Sequence, residues 1–351
     1  MRKNIIIGII AIALIIIGAF ELLHITTPST TIVQKPSSVQ TIRPPTSFVL
    51  DPKDAENTTG IYPFYVGAWI EINNFNMPNF SFKNFTASNI FNKLFIGVLI
   101  HNSSVRSLDF IAQINITKNS QFSGFNKNSL LYGIVAALNS NISIKGSGEY
   151  KTFYYIYGNT SRSGIALAYN GTYFIGISLN GTSNNVYYVK NLLLKQIDSL
   201  IINGSITPAP PDILANISIP LIGWGYINNS IINNSSFYFI KNINKIPLNQ
   251  GYVGFYSDNN TLVEMEISQY KNSTDAENVY EHIYSVINTS NFHTNISQGS
   301  ISGAKYFTLT ITNNSTITIS YYNEYVIEIG TYGYLNLNNI TQILKSEINI
   351  L

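Results

Sequence analysis

The side chains that could carry out chemistry are few in this 351-residue sequence. The four histidines are His24, His101, His282 and His293. No two of them have the H-x-x-x-H spacing of a zinc hydrolase. Glu277, Glu281 and His282 form the densest ionisable cluster, and such a set can bind a metal. A solvated helix face explains this cluster better, so we predict no metal site and no cofactor.

Acidic residues offer a second kind of chemistry, because two facing carboxylates can hydrolyse a glycosidic bond. The candidates are Asp109, Glu149, Asp198, Glu264, Glu266, Glu324 and Glu328. Glu264 and Glu266 share one face of a predicted strand, although an exposed strand face explains this spacing equally well. The sequence has no G-x-S-x-G elbow, no Walker loop and no cysteine. We therefore predict no catalytic residue and no enzyme, with a surface hydrolase acting on envelope polysaccharide or glycoprotein as the alternative.

An internal repeat organises the chain. The stretch LAYNGTYFIGIS at Leu167 is matched 152 residues later by ISYYNEYVIEIG at Ile319. The two tryptophans lie in WIEINN (69–74) and WGYINN (224–229), and QINITKNS (113–120) resembles EISQYKNS (266–273). These matches stay in order along the chain, which indicates a tandem duplication. We predict two related units at 51–205 and 215–351, joined by a proline-rich linker at 206–214, with both tryptophans in the core.

Each copy shows the same order of predicted elements: a strand, a helix, three strands and a final helix. In the second copy, the pattern T-x-x-E at Thr274 indicates a helix start. Apolar residues recur along this helix with the spacing of a buried face. The predicted fold class is α+β, with two tandem units after an N-terminal transmembrane helix. Each unit would be an antiparallel sheet with helices packed on one face.

Charge and composition exclude one class of partner. Charged residues make up 11% of the chain, and the formal net charge is +2. The basic residues are scattered, so no electrostatic footprint for nucleic acid exists. A surface of neutral amides and hydroxyls suits an acidic external medium, and a biased genome composition is the alternative explanation.

The N-terminus predicts the location. Arg2 and Lys3 precede the apolar run IIIGIIAIALIIIGAF, which ends at Phe20. We predict a signal anchor at 1–23 with the N-terminus inside and the body outside. Cleavage of this segment, which would release a secreted body, remains the alternative because the run is short for a membrane span. Residues 24–50, rich in Pro, Ser and Thr, read as a stalk.

Glycosylation sequons support an extracytoplasmic body. The chain holds about 21 N-x-S/T sites, against roughly 8 expected by chance. None lies before Asn57. Frequent Asn, Ser and Thr in turns is the competing explanation. The candidate glycosylation sites are Asn57, Asn102, Asn115, Asn170, Asn180, Asn234, Asn259, Asn272 and Asn314.

The anchor, the stalk and the sequon-dense, Tyr- and Asn-rich, cysteine-free body together resemble archaeal membrane-anchored, N-glycosylated cell-envelope proteins, especially those of thermoacidophiles. The resemblance covers the whole chain but rests on no family motif, so it assigns no functional residue. It implies a glycosylated ectodomain outside one membrane. We predict a non-enzymatic binding, adhesion or envelope-structural role, with an envelope protein or glycan as partner.

Overall fold

The computed structural model describes most of the chain from Leu50 onward. The described residues are 50–73, 81–82, 85–86, 91–102, 105–114, 126–137, 142–161, 163–203, 212–227, 248–258, 261–289, 295–312, 315–333 and 337–351. The predicted anchor at 1–23, the stalk up to residue 49 and linker residues 206–211 lie outside this set. The described part is α+β, with antiparallel strands and five helices. It divides into two compact units, unit 1 up to Asn203 and unit 2 from Asp212.

In its described residues, unit 1 has seven strands paired side by side in an antiparallel sheet, and three helices. The strands of this sheet are β1 (Tyr65–Asn73), β4 (Phe91–Ile100), β5 (Arg106–Ile114), β6 (Ser143–Tyr150), β7 (Phe153–Asn159), β8 (Ser163–Tyr169) and β9 (Tyr173–Asn180). A separate small hairpin consists of β2 (Ser81–Phe82) and β3 (Phe85–Thr86). The helices are α1 (Pro52–Thr59), α2 (Lys127–Ala137) and α3 (Asn185–Asn203). The strands pair in the order β1-β4-β5-β9-β8-β7-β6.

Unit 2 also has a seven-stranded antiparallel sheet. Its strands are β10 (Leu221–Ile227), β11 (Gln250–Ser257), β12 (Thr261–Gln269), β13 (Asn295–Ile301), β14 (Ala304–Thr312), β15 (Ser315–Tyr322) and β16 (Tyr325–Gly333). Its helices are α4 (Ser273–Thr289) and α5 (Leu337–Ile348). The strands pair in the order β10-β11-β12-β16-β15-β14-β13. If the strands of each unit's sheet are numbered one to seven along the chain, both sheets have the same strand order, 1-2-3-7-6-5-4.

The two tryptophans have matching local surroundings. Trp69 lies opposite Gly97, and Trp224 lies opposite Gly254. The pairing register shifts just before the tryptophan in both first strands, between Val66 and Ala68 in β1 and between Leu221 and Gly223 in β10. Both indole side chains are buried, which confirms their prediction as core residues. In both units a neighbouring aromatic ring lies over the glycine, the ring of Phe95 over Gly97 and the ring of Tyr256 over Gly254.

One sequence match is out of register. Gln113 lies opposite Tyr173, and Gln269 lies opposite Tyr325. Gln269 therefore takes the place in unit 2 that the sequence match assigned to Glu266. Short polar triplets such as K-N-S align in more than one register, whereas the ladder of hydrogen bonds fixes a single register.

Helix α4 packs on one face of the sheet in unit 2. Its buried side chains, including Val279 and Ile283, contact a cluster with Phe307, Ile319 and Val326. Phe307 lies directly opposite Ile319, so these two residues point to the same side.

Helix α5 lies on the opposite face. Glu347 of α5 accepts a hydrogen bond from the Ala215 amide, and the Ala215 carbonyl accepts one from the Tyr256 hydroxyl. Along the ladder, Tyr256 shares a face with Thr316. Thr316 and Ile319 are three residues apart and therefore point to opposite faces. The prediction of helices on one face is wrong, because both faces of this apolar sheet need cover.

Unit 1 shows the same two-sided cover. Every residue of β8 is buried, which requires packing on both sides of that strand. Helix α3 begins directly against β8, where a Cβ on Gly164 would collide with the Asn185 carbonyl oxygen. The small side chains of Ala166 and Ala168 continue this face, so α3 approaches the sheet closely.

Candidate functional site

A pocket of about 650 Å³ opens in unit 1 where α3 begins. This volume falls within the roughly 300–1,000 Å³ range of small-molecule sites. Its walls come from β6, β7, the β7–β8 turn, the β9–α3 turn and the first residues of α3. The lining includes Lys145, Tyr157, Asn159, Asn184, Tyr187 and Lys190.

Local hydrogen bonds shape the two turns that form the pocket wall. In the β7–β8 turn, the Thr160 hydroxyl accepts the Ser163 amide at 3.0 Å. In the β9–α3 turn, Asn185 Oδ1 accepts both the amide and the hydroxyl of Thr182, at 3.0 and 2.5 Å. These side chains belong to residue types that favour turns and helix starts, because their oxygens bind nearby amides. These bonds hold Ser163 and Thr182 in place at the pocket wall.

Aromatic rings form part of the pocket surface. The Tyr157 ring stacks on Tyr155, with centroids 6.2 Å apart. Tyr187, in the first turn of α3, is 64% exposed. Exposed tyrosine rings combine an apolar face with a hydroxyl, which suits contacts with a ligand of mixed polarity.

The charge of the pocket is positive. Lys145 and Lys190 line it, and Lys190 Nζ lies 5.4 Å from the centre of the Tyr157 ring. Asn184 and Asn185 place the start of the 19-residue helix α3 at the wall, and helix N-termini carry partial positive charge. Among the described residues, the lining includes no Asp, Glu or His. A positive concavity with hydroxyl and amide groups can bind an anion that also offers hydrogen bonds.

The structure brings three of the candidate carboxylates together in unit 2. Glu266 lies directly opposite Glu328, and Glu264 shares their face two residues along β12. Burial, and then the negative charge of Glu264, raise the pKa of Glu328 to about 7. A carboxyl group with a raised pKa beside other carboxylates is the usual arrangement of a general acid.

The remaining candidate carboxylates do not join this cluster. Asp109 is buried in unit 1, and desolvation raises its pKa to about 8, while the amides of Leu50 and Phe110 act in the opposite direction. Asp198 pairs with Lys151 at 2.5 Å and accepts the Tyr150 hydroxyl at 3.0 Å. Asp198 therefore fits a structural role.

The cluster of Glu277, Glu281 and His282 lies on α4. The Glu277 carboxylate accepts the Tyr321 hydroxyl at 2.6 Å and lies 3.4 Å from Lys305 Nζ. These two partners hold the pKa of Glu277 below its usual value, the tyrosine having the larger effect. The described residues contain no group of three or more His, Asp or Glu side chains placed to bind a metal.

The start of α4 differs from the predicted capping box. Asn272 Oδ1 accepts the Asp275 amide at 2.9 Å. Asn272 therefore caps the helix in place of Thr274, because Glu277 is engaged by Tyr321 instead of reaching back to the helix start.

Five of the nine candidate glycosylation sites fall within the described residues. Asn57 and Asn272 are exposed, whereas Asn102, Asn170 and Asn180 are half-buried. Asn102 and Asn170 lie in turns where their side-chain oxygens accept backbone amides. The other four, Asn115, Asn234, Asn259 and Asn314, lie outside the described residues.

Comparisons with known proteins assign no family. No family model matches the chain, and no curated protein matches it. Solved structures of TP0453 resemble it weakly. Crystal forms III, I and IV of that protein give TM-scores of 0.35, 0.33 and 0.32 at 10% identity, covering 80–82% of this chain and 95% of the other. These values are too low to carry an argument about fold or function.

A search for membrane spans covers only the part of the chain that the structure describes. There, no helix is both long and apolar enough to cross a bilayer. The predicted anchor at 1–23 is outside that part, so the topology remains a prediction.

Sequence reasoning missed the pocket in unit 1. Lys145, Tyr157, Ser163 and Lys190 come from four different elements and form no linear motif. The run TSNN at 182–185, just before a long apolar-striped helix, is the one local signal that marks a helix start at this place.

Proposed function

We propose that the chain is a single-pass, membrane-anchored, extracytoplasmic surface protein with a non-enzymatic binding role in the cell envelope. The pocket at the start of α3 is the observation that carries the binding role, because its lining offers hydrogen bonds, aromatic faces and positive charge. The sequence supports the location through the Arg2–Lys3 flank, the apolar run and the dense sequons. Adhesion or envelope organisation would use the same external body.

We also propose that the two units arose by tandem duplication. The shared strand order supports this, as do the matching Trp–Gly pairs. Two-residue turns at Lys151 and Ser302 join the strands of the corresponding hairpins, and both residues have positive φ, 53° and 49°. In each unit the last helix carries a fully buried side chain, Gln196 or Glu347, that accepts a backbone amide from the segment leading into the unit.

A hydrolase is the second candidate, and the carboxylates of unit 2 favour it. Residues directly opposite in antiparallel strands have Cβ atoms about 4.5–5.5 Å apart. Glu266 and Glu328 have this relation. Retaining glycosidases likewise use two neighbouring carboxyl groups, one of them with a raised pKa.

One experiment separates the two functions. The purified full chain is incubated with isolated native envelopes, and both sedimentation with the envelopes and release of reducing sugar are measured. Binding without sugar release supports the proposed function. Sugar release that is lost in Glu328→Gln but kept in Glu324→Gln, a nearby control on a turn, would replace it with the hydrolase. Absence of both would refute both functions.

A further inference from the structure

We infer that the pocket at the start of α3 binds an acidic saccharide, a sugar that carries a carboxylate or sulfate group. This inference rests on the proposed binding function and names its ligand class. It follows from the charge of the lining, from a buried amide oxygen without a partner among the described residues and from exposed aromatic rings.

The positive charge argues for an anionic ligand. Lys145 and Lys190 line the pocket together with the first residues of α3, Asn184 to Tyr187. The N–H groups of a helix's first turn point away from its body and have no partners within the helix. The lining therefore contains two ammonium groups and a helix start, and no carboxylate among its described residues. This charge favours an anion as the occupant.

Asn159 is an independent sign that a ligand belongs here. It lies opposite Gly164 in the strand ladder, so its side chain faces the start of α3. Its side-chain oxygen is buried without a hydrogen-bond partner among the described residues. Buried polar groups in proteins are nearly always paired, and a bound ligand is one way to satisfy them.

The rest of the lining argues for a sugar over a simple anion. Tyr187 presents a largely exposed ring, and the Tyr157 ring borders the same space. Sugar rings have apolar faces that pack on aromatic rings. Hydroxyl and amide side chains, which both donate and accept hydrogen bonds, surround these rings and match sugar hydroxyls.

Unit 2 lacks the counterparts of Lys190 and Tyr157. Lys190 lies six residues before the buried Gln196, whereas Thr341 lies six residues before the buried Glu347. Tyr155 lies opposite Gly148 in unit 1, and Tyr306 lies opposite Gly299 in unit 2. Two residues further along each strand, unit 1 has Tyr157 and unit 2 has Thr308. Thr308 is buried and bonded to Thr318. Unit 1 alone is therefore expected to bind the ligand.

The test measures binding of defined saccharides to the full chain by calorimetry. The chain is produced in a host without N-glycosylation, so that the sequon at Asn159 in the lining carries no competing glycan. The probes are a galacturonic acid trisaccharide, a sulfated galactose disaccharide, a neutral galactose trisaccharide and inorganic sulfate. We expect one or both acidic saccharides to bind at least tenfold more tightly than the neutral saccharide and inorganic sulfate.

Variants place the binding in the pocket. Lys145→Gln and Lys190→Gln should each weaken binding of the acidic saccharide about tenfold, or about 1.4 kcal/mol, because each removes one charged hydrogen-bond donor. Tyr187→Ala should weaken it as well. Lys53→Gln and Tyr132→Ala change an exposed lysine and an exposed tyrosine outside the lining and should leave binding unchanged. Circular dichroism and melting temperature check that each variant folds.

Each alternative outcome overturns a distinct part of the inference. If the neutral saccharide binds as tightly as the acidic saccharides, the pocket does not select an anion. If inorganic sulfate binds as tightly as they do, the pocket does not recognise the sugar. If the acidic saccharide still binds to the double variant with Lys145→Gln and Lys190→Gln, this pocket is not the binding site. If neither acidic saccharide binds to the unaltered chain, the inferred ligand class is wrong. If envelope sedimentation persists in the double lysine variant, the proposed function stands and this pocket has no part in it.

Discussion

At the scale of single residues, Gln196 and Glu347 show how one buried position tolerates an amide or a carboxyl. Both side chains are fully buried, and each accepts one backbone amide at 3.0 Å, from Leu50 and Ala215 respectively. The amide is neutral at every pH. The carboxyl group is not, and desolvation raises the pKa of Glu347 to about 7, although the Ala215 amide opposes this.

We expect Glu347→Gln to stabilise unit 2 above pH 7 and to have little effect at pH 4. The folded-state pKa of Glu347 is raised, so the protonated form stabilises the fold below the unfolded-state pKa, and this contribution is lost as the pH rises through about 7. The full effect is on the order of 3 kcal/mol, because each tenfold difference in proton affinity between the two states corresponds to about 1.4 kcal/mol. Urea unfolding at pH 4 and pH 8 measures it.

The reciprocal change is the matched test. Gln196→Glu should give unit 1 the pH dependence that Glu347→Gln removes from unit 2, because the two positions share burial and a backbone donor. Glu281→Gln, on the exposed side of α4, should leave the pH dependence unchanged. An undiminished loss of stability between pH 4 and pH 8 in Glu347→Gln would show that this carboxyl group does not cause it.

At the scale of elements, the contact between α3 and β8 holds the pocket wall in place. Gly164 allows this contact, since any Cβ there would collide with the Asn185 carbonyl oxygen. Asn185 also holds Thr182 of the adjacent turn. A change at Gly164 therefore affects the helix start and the pocket together.

We expect Gly164→Ala to lower the free energy of unfolding by about 1–3 kcal/mol, the usual effect of overpacking, and to weaken ligand binding. Gly330→Ala is the control, because its added Cβ would meet only Glu264, at 4.0 Å. That change should be neutral or slightly stabilising, since alanine restricts the unfolded chain. Equal melting temperatures for the two variants would contradict the packing argument.

Elements with a clear period could be predicted from the sequence. The stripe that begins at Ala276 indicates a helix close to the observed Ser273–Thr289, and the three strands from Tyr306 to Ile329 are present with slightly longer ends. The two-sided cover was missed. Strands buried on both faces, such as β8 with its run SGIALAY, lack the alternation that would show a second packed helix. The pocket was missed because its residues meet only through the sheet order.

At the scale of the whole molecule, the chain combines few charges with several buried carboxyl groups. Charged residues are 11% of the sequence. Asp109, Glu328 and Glu347 have pKa values raised to about 8, 7 and 7, in each case chiefly by burial. Neutral carboxyl groups are compatible with such sites, whereas carboxylates are not. This pattern supports the hypothesis that the body works in an acidic external medium.

We therefore predict that the melting temperature of the full chain rises as the pH falls from about 8 to about 4.5. Each of the three groups binds its proton more tightly in the folded state, so the folded state gains stability throughout this interval. Below about pH 4.5 this gain ends. Protonation of Glu277 then removes the stabilising contacts of its carboxylate with Tyr321 and Lys305, because these contacts lower its pKa in the folded state. The triple variant Asp109→Asn, Glu328→Gln, Glu347→Gln should lose most of the difference in melting temperature between pH 5 and pH 8. Glu264, whose pKa is also raised by burial, accounts for the remainder. Circular dichroism melts across this range decide the matter, and a melting temperature of the unaltered chain that falls on acidification from pH 8 to pH 5 would refute the assignment of these buried groups.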